Sequence, residues 1–230
     1  MLRWPKPPAR YSARYSARST VTPASYRSSM LLRSVCPICR RPGGVPCGPC
    51  RGQLRPAPTD APVPAIIAYE GVGRELLARL KYRDARQAVA PLADALAACV
   101  DAVPIDAVTW IPTTDRRRRE RGFDQAELLA RAVARRVGRP CRRLLRRLGD
   151  DHQTGRTRSE RLAGPSLVAV GVAPRNVLLI DDVVTTGATV RAAVEVLTRA
   201  GAVRVQPWVA AATPSMLNKR QSRADTFDDE

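Results

Sequence analysis

The side chains of this chain that are best suited to chemistry lie within residues 176–189. Four consecutive apolar residues, Val177–Ile180, predict a short strand that is buried on both faces. Asp181 and Asp182 follow this strand, and the small-residue segment Thr185–Thr189 then leads into a stretch with helical apolar spacing. The predicted order is strand, acidic pair, hydroxyl-rich loop and helix.

This order indicates a site for a phosphorylated sugar. A loop that enters a helix N-terminus presents backbone N–H groups and positive potential, so it suits a phosphate. Two vicinal sugar hydroxyls, bound directly or through Mg²⁺, are the better partners for the two carboxylates. A phosphate one sugar ring away from a diol indicates a ribose 5-phosphate. The alternative is an ordinary strand end before a helix capped by Thr186 or Thr189, although an unused acid pair there is costly.

The same segment resembles the phosphoribosyl pyrophosphate (PRPP) motif of type I phosphoribosyltransferases. It shares the hydrophobic strand, Asp-Asp, Thr-Thr-Gly and the final Thr, and it differs from a Walker loop because no Gly-Lys-Ser/Thr follows. The resemblance implies that PRPP or another ribose 5-phosphate ligand binds here with Mg²⁺. The implied binding residues are Asp181, Asp182, Val184, Thr185, Thr186, Gly187, Ala188 and Thr189.

Four cysteines near the N-terminus have the spacing of a metal site. Two Cys-x-x-Cys pairs, Cys36/Cys39 and Cys47/Cys50, are seven residues apart and place four thiolates on two tight turns, as tetrahedral Zn²⁺ requires. Two disulfides are the alternative, which a reducing compartment disfavours. Four thiolate ligands leave no open coordination position, so the predicted zinc ion is structural.

An arginine-rich segment separates a predicted strand, Ala107–Ile111, from a predicted helix, Phe123–Val137. It has five arginines within residues 116–121 and is expected to be a loop at the same sheet edge as the phosphate loop. Such a run repels itself unless an anion is bound, which indicates pyrophosphate or nucleic acid; a solvated charged loop is the alternative. The nucleic-acid candidates are Arg116, Arg117, Arg118 and Arg119.

The sequence at 121–125, Arg-Gly-Phe-Asp-Gln, resembles the Arg-Gly-Phe-Asn-Gln signature of the ComF family, with Asp124 in place of Asn. The resemblance spans roughly Cys36–Pro214 and implies a link to DNA uptake in natural competence. It also implies that Arg121 and Gly122 lie on the pyrophosphate loop. Lys81 is either a solvated cation at a helix end or a further pyrophosphate ligand.

A polar excursion follows, with no apolar residue between positions 149 and 161. Such a segment inside an α/β domain is typical of a lid or a disordered loop. It matches the position of the mobile catalytic loop of the resembled family, which makes Gln153 and Arg161 the loop candidates. His152, the single histidine, is expected to be exposed and not to be a general base.

Alternation of predicted strands and helices from Ile105 onward favours a parallel sheet covered by helices. The predicted strands include Ala65–Tyr69, Ser166–Val170 and Arg204–Val209. The expected fold class is α/β, a type I phosphoribosyltransferase-like parallel sheet with a small N-terminal four-cysteine zinc knuckle. Ligands of such sheets bind at the carboxyl ends of the strands.

The expected domains are the knuckle at 31–55 and the phosphoribosyltransferase-like domain at 65–214. Composition sets two tails apart from these domains. Residues 1–30 are basic and free of Asp and Glu, and residues 215–230 turn acidic; both are expected to be disordered. The first tail resembles a transit peptide, or is upstream sequence if translation starts at Met30. The net charge of +18 favours a polyanionic partner. Without a membrane-length apolar run, the expected location is cytoplasmic.

Two functions follow from these residues. In the first, the protein is a phosphoribosyltransferase in which Mg²⁺ and arginines hold PRPP and the protein supplies positioning and charge. The acceptor is not indicated. In the second, the pocket is a sensor or a relic. The protein is then a non-catalytic accessory factor of DNA uptake that acts with DNA-uptake proteins and binds single-stranded DNA through Arg116–Arg119, the knuckle and the helix around Arg135.

Overall fold

The computed structural model describes residues 35–80, 83–100, 104–148 and 166–214. The predicted site residues Lys81, Gln153 and Arg161 lie outside the described residues, as do His152 and both predicted tails. Within the described ranges, no helix has the length and apolarity needed to cross a bilayer.

A four-stranded parallel sheet forms the framework of the fold. The described strands are β1 (Ala65–Ala68), β2 (Ala107–Trp110), β3 (Leu145–Arg147), β4 (Leu167–Ala169), β5 (Asn176–Val184) and β6 (Arg204–Ala212). Strands β1, β6, β5 and β2 pair in that order, and each neighbouring pair is parallel. The predicted parallel α/β sheet is therefore confirmed.

Helices cover both faces of this sheet. The described helices are α1 (Gly48–Gly52), α2 (Gly71–Leu80), a 3₁₀ helix (Arg83–Ala88), α3 (Val89–Val100), α4 (Asp115–Arg121), α5 (Gln125–Val137) and α6 (Ala188–Arg199). Leu178 and Ile180 of β5 pack with α2, α3 and α5, whereas Val177 and Leu179 pack with α6. This alternation is why residues 177–180 of β5 are all apolar: each face of a central parallel strand meets a helix layer.

Two elements differ from their sequence-based prediction. The strand predicted at Ser166–Val170 does not join the parallel sheet; it is β4, which pairs with β3 in a separate antiparallel hairpin. The segment expected to be an arginine-rich loop contains α4. The Thr114 hydroxyl accepts a hydrogen bond from the backbone N–H of Arg117 at 3.3 Å and caps this helix, and Gly122 ends it with φ of 75°.

The four-cysteine segment packs onto the main fold. Ile38, Val45 and Leu54 lie against the core cluster of α2, α3 and α5, and Nε2 of Gln87 donates to the carbonyl of Val35 at 2.8 Å. The proline-rich segment 56–64, which connects the knuckle to β1, is also packed, because its Val63 is buried in the core beneath α6. The knuckle is therefore held in place by the same core that holds the sheet.

We expect Gly73→Ala to destabilise the protein. A Cβ at Gly73 would lie 2.4 Å from the carbonyl oxygen of Ala68, the last residue of β1, so α2 would have to move away from the sheet. The expected loss is about 2 kcal/mol in the free energy of unfolding, measured by urea denaturation. Gly52→Ala is the control, because nothing lies within 4 Å of its added Cβ. Equal stability of the two variants would contradict the packing described.

Candidate functional site

A cavity of about 360 Å³ opens where β1, β2 and β5 end. Its apolar walls come from Tyr69, Ile111, Pro112, Ala126 and Val183. Its polar lining consists of Thr113, Arg117, Arg121, Asp124, Gln125, Arg147, Asp181, Asp182, Thr185 and Thr189. Carboxylates, guanidinium groups and hydroxyls thus face one space, at the edge of the sheet where ligands of parallel α/β proteins bind.

The structure brings part of the predicted set together. Asp181, Asp182, Thr185, Thr189 and Arg121 all line the cavity. The other described members lie beside it: Val184 is buried at the end of β5, Thr186, Gly187 and Ala188 form the turn into α6, and Gly122 ends α4.

The sequence predicted that the acidic pair follows the strand. In the structure, both residues lie inside β5. The strand continues because Asp181 and Val183 still pair with Val209 and Ala211 of β6. The backbone N–H of Asp182 donates to Oδ1 of Asp181 at 2.9 Å. Burial raises the pKa of Asp181 well above its ordinary value, and the adjacent Asp182 carboxylate raises it further. Ionisation of both carboxylates is therefore unfavourable until a ligand or a cation compensates the two charges.

The turn into α6 is held from both sides. Gly187 has φ of 74°, and a Cβ there would meet the Pro62 side chain and the Arg191 guanidinium, each at 3.2 Å. Nη1 of Arg191 also donates to the carbonyl of Thr186 at 3.0 Å. The turn is thus shaped before any ligand arrives, and it precedes a helix N-terminus, a favourable position for a phosphate.

Helix α4 divides the arginine run between two faces. Arg117 and Arg121, one helical turn apart, line the cavity. Arg116 forms an ion pair with Glu120 at 2.8 Å, and Arg118 and Arg119 are exposed and are not part of the cavity lining. The run is therefore not a uniform basic loop, because helical periodicity directs its members differently.

Asp124 replaces the Asn of the ComF signature and has a structural role. One carboxylate oxygen accepts from the backbone N–H of Thr113 at 2.8 Å, and the other accepts from those of Ala126 and Glu127 at 3.0 and 3.4 Å. These bonds cap α5 and tie it to the end of β2. Burial raises the pKa of Asp124, and the three donors act against that rise.

Arg121 is itself oriented by a neighbour. Its Nη1 donates to Oε1 of Gln125 at 3.2 Å, and Gln125 is buried at the start of α5. The residues of the 121–125 signature therefore cooperate: Gly122 ends one helix, Asp124 starts the next, and Gln125 holds the arginine at the cavity.

Sequence reasoning missed several lining residues, among them Tyr69 and Arg147. Tyr69 comes directly after β1, and its backbone N–H donates to the carbonyl of Ala212 at 2.7 Å. Arg147 ends β3, and its Nε donates to the carbonyl of Pro112 at 3.0 Å. The position of Tyr69 at the end of a predicted strand was a usable signal, whereas the hairpin that brings Arg147 to the cavity was not predicted.

The four N-terminal cysteines form a second cluster. Their sulfur atoms all lie within 4.8 Å of one another, and Sγ of Cys39 is 3.5 Å from Sγ of Cys47. Tetrahedral zinc with bonds of about 2.3 Å needs sulfur separations of about 3.8 Å, so the spacing fits. All six cysteines are free thiols, so the alternative of two disulfides does not apply. The cluster can hold a metal ion such as zinc.

The thiol pKa values of this cluster diverge. Burial raises the pKa of Cys36, but backbone donors, above all the N–H of Cys47, outweigh burial and bring it to about 6. Burial and the neighbouring sulfur atoms raise the pKa of Cys50 to about 12. Because crowded thiolates repel one another, a divalent cation is the partner that would let all four ionise.

Together, these features define an α/β protein with a polar cavity at the carboxyl edge of its parallel sheet. No protein-family model matches the chain. The DNA utilization protein YhgH of Salmonella typhi is 29% identical over 187 residues, covering 76% of this chain and 82% of that protein. Competence protein ComFC of Bacillus subtilis (strain 168) is 29% identical over 178 residues, covering 73% and 72%. The chain is thus a homologue of ComFC and YhgH, and the resemblance to the ComF family is confirmed.

Solved structures show weaker similarity. The allosteric regulatory enzyme of purine biosynthesis has a TM-score of 0.41 at 24% identity, over 54% of this chain and 26% of that chain. The glutamine PRPP amidotransferase from B. subtilis has a TM-score of 0.44 at 19% identity, over 67% and 43%. This chain therefore corresponds to less than half of each of these proteins.

We expect Asp181→Asn to stabilise the ligand-free protein at pH 7. A carboxylate whose pKa is raised on folding binds its proton more tightly in the folded state. It therefore lowers the free energy of unfolding as the pH rises above the ordinary pKa of 3.8. Removing the charge should raise the Tm by about 2–4 °C for each kcal/mol gained in the free energy of unfolding. This rise in Tm should vanish near pH 4.

Differential scanning fluorimetry across pH would measure this gain. Glu195→Gln is the matched control, because it neutralises an exposed carboxylate that is paired with Arg199. A lower Tm for Asp181→Asn at pH 7, or a gain that is the same at pH 4, would contradict the repulsion described.

Proposed function

We propose that the protein binds PRPP, or a related ribose 5-phosphate, together with Mg²⁺ and transfers the phosphoribosyl group to an acceptor. The observation that carries this proposal is the cavity itself, which gathers an acidic pair, threonine hydroxyls and three arginines around one small volume. Its size of about 360 Å³ falls within the ordinary range for small-molecule sites.

The acidic pair serves the ribose in this proposal. Asp181 and Asp182 accept hydrogen bonds from two vicinal hydroxyls, which add to the backbone N–H that each carboxylate already accepts. Carboxylate oxygens are also ligands that Mg²⁺ prefers, so the pair fits a cation that is shared with the bound diphosphate. When bound, Mg²⁺ neutralises charge on that diphosphate.

The anionic ends of the ligand meet the remaining polar groups. Thr185 and Thr189 donate to the 5-phosphate at the start of α6, and Arg117 and Arg121 bind the pyrophosphate. During transfer, the bond between the anomeric carbon and the pyrophosphate oxygen breaks and the acceptor bonds to that carbon. The protein contributes position and charge stabilisation and no covalent nucleophile. Lys81, Gln153 and Arg161 stay predicted contributors to this step.

The names of the relatives suggest a role in the use or uptake of DNA. A DNA interface built on Arg116–Arg119 has limited support, because Arg116 is paired with Glu120 and Arg117 faces the cavity. Of these four, only Arg118 and Arg119 lie outside the cavity lining and form no ion pair with another described residue. The phosphoribosyl reading of the cavity is therefore the better supported of the two.

A matched pair of substitutions on α4 tests the proposed function. Arg121→Gln should weaken PRPP binding about tenfold or more, because it removes a charged hydrogen bond to the pyrophosphate. Arg119→Gln removes the same charge from the same helix away from the cavity and should change the Kd less than about twofold. Titration calorimetry with PRPP and with ribose 5-phosphate measures both.

Two further readouts separate the subsites. Ribose 5-phosphate lacks the pyrophosphate, so Arg121→Gln should leave its binding unchanged, whereas Asp182→Asn should weaken both ligands. Release of pyrophosphate from PRPP with a panel of candidate bases then tests transfer. Equal effects of Arg119→Gln and Arg121→Gln, or unchanged binding by Asp182→Asn, would overturn the assignment of the cavity.

We also propose that the cysteine cluster holds one structural Zn²⁺. Removing the ion, or substituting Cys36→Ser, should lower the Tm, because the knuckle packs through Ile38 against the main core. Elemental analysis should find about one zinc per chain. Cys99→Ser is the control, since Cys99 lies far along the sequence in α3 and outside the cluster. Metal-free protein of unchanged Tm would contradict the proposal.

A further inference from the structure

The four-cysteine knuckle touches the main fold at two places that adjoin the cavity. One is the start of α2, and the other is the 3₁₀ helix between α2 and α3. Tyr69, just before α2, lines the cavity, and so does Arg121, the first residue of the signature against which the 3₁₀ helix lies. Each contact therefore connects the cysteine cluster with a different wall of the cavity.

The first contact lies at the N-terminal end of α2. Val72, in the first turn of this helix, packs against the buried cysteines of the cluster. Glu70, just before the helix, forms an ion pair at 3.7 Å with Arg55 at the C-terminal end of the knuckle. The knuckle thus holds the segment that follows Tyr69 by an apolar contact and by an ion pair.

The second contact is made by neighbouring side chains of the 3₁₀ helix. Nε2 of Gln87 donates to the carbonyl of Val35, at the start of the knuckle, at 2.8 Å. The guanidinium carbon of Arg86 lies 4.5 Å from the centroid of the Phe123 ring, which is a cation–π contact. One short helix therefore holds the knuckle with one side chain and the 121–125 signature with the adjacent one.

Phe123 lies between the residues that orient the binding groups of the cavity. Gly122 ends α4 and Asp124 starts α5, while Arg121 faces the cavity. Phe123 itself is 8% exposed, so its ring is enclosed by packed neighbours. Because close-packed interiors transmit displacements, a shift of this ring also shifts Arg121.

The knuckle has little structure of its own with which to keep these contacts in the absence of a metal ion. Between residues 35 and 55 the structure has one helix of five residues and a hydrophobic cluster of three cysteines. Such a small cluster does not offset the entropy lost on ordering, whereas binding of a metal ion by four thiolates does. We therefore expect an ordered metal-bound state and a less ordered metal-free state.

We propose that a divalent metal ion on the cysteine cluster regulates ligand binding in the cavity. The metal-bound knuckle holds α2 and the 3₁₀ helix in place, and these elements hold Tyr69 and the 121–125 signature in the geometry that binds PRPP. Loss of the ion releases both contacts and weakens PRPP binding. Because coupling between two sites is reciprocal, PRPP also strengthens metal binding. This regulation rests on the proposed function of the cavity and on the proposed metal site.

Other contacts of the knuckle serve stability. Ile38, Val45 and Leu54 pack against the core of α2, α3 and α5, and none of them lines the cavity. Loss of the metal ion therefore has two effects, a lower Tm and weaker ligand binding. The two effects are separable by substitution, because Arg86 and Gln87 lie outside both the cysteine cluster and the cavity lining.

The first test compares zinc-loaded and zinc-stripped full-length protein. Titration calorimetry with PRPP and Mg²⁺ gives the Kd of both forms once the chelator has been removed. Zinc removal should raise the Kd about fivefold or more, as is usual for coupled sites. Circular dichroism reports whether the main fold of the stripped protein is intact.

Arg86→Gln separates regulation from stability, because it leaves the four cysteines and the zinc ion in place. It should raise the PRPP Kd of the zinc-loaded protein about threefold and reduce the difference between the loaded and stripped forms. Arg131→Gln is the matched control. It removes another arginine that lies over a buried ring, 6.0 Å from the centroid of Trp110, but on α5, and should change neither quantity.

Zinc affinity gives a reciprocal readout that needs no transfer reaction. Competition with a chromogenic chelator at equilibrium measures it with and without PRPP. PRPP should raise the zinc affinity of the wild type by the factor by which zinc lowers the PRPP Kd, and that of Arg86→Gln by a smaller factor. Arg131→Gln at the same PRPP concentration accounts for zinc that free PRPP binds.

The outcomes distinguish the regulation from the proposed function. Absence of PRPP binding by the zinc-loaded protein would overturn the proposed function, and the regulation with it. PRPP binding with equal Kd in the loaded and stripped forms would overturn the regulation alone. If the stripped protein unfolds, the zinc-loaded variants decide: equal Kd values for Arg86→Gln and Arg131→Gln would overturn the regulation, and a higher value for Arg86→Gln would support it.

Discussion

Two adjacent carboxylates inside a central strand impose the main physical constraint on this protein. Asp181 and Asp182 continue the pairing of β5 with β6, so the sheet holds them in place although burial and mutual repulsion raise the pKa of Asp181. Such a site is more stable when it is neutral or when a ligand supplies hydroxyl donors or a cation. Stability and binding therefore oppose each other at this position, a combination typical of functional sites.

The groups around the acid pair are placed by helix ends. Thr114 starts α4, Gly122 ends it, and Asp124 starts α5 while binding the backbone of Thr113. Because these three positions set the orientation of α4, they also decide that Arg121 faces the cavity. The Asp at 124 is compatible with this arrangement because both of its oxygens accept backbone N–H groups, which offset part of the cost of burying its charge.

Electrostatics also separates the surface into two kinds of arginine. Arg116, Arg131 and Arg199 are paired with acids one helical turn away. Among the described residues, Arg142 and Arg143 beside β2 form no such pair. The +18 net charge alone says only that a polyanion is attractive.

The sequence by itself determined the features that depend on local pattern. The apolar run 177–180 predicted β5, the alternation of elements predicted the parallel sheet, and the Cys-x-x-Cys pairs predicted a compact sulfur cluster, because each signal is set by near neighbours. Which arginines of α4 face the cavity, and that Arg147 reaches it through a hairpin, were decided by the tertiary structure. Those outcomes depend on contacts between residues far apart in the chain, which local spacing does not encode.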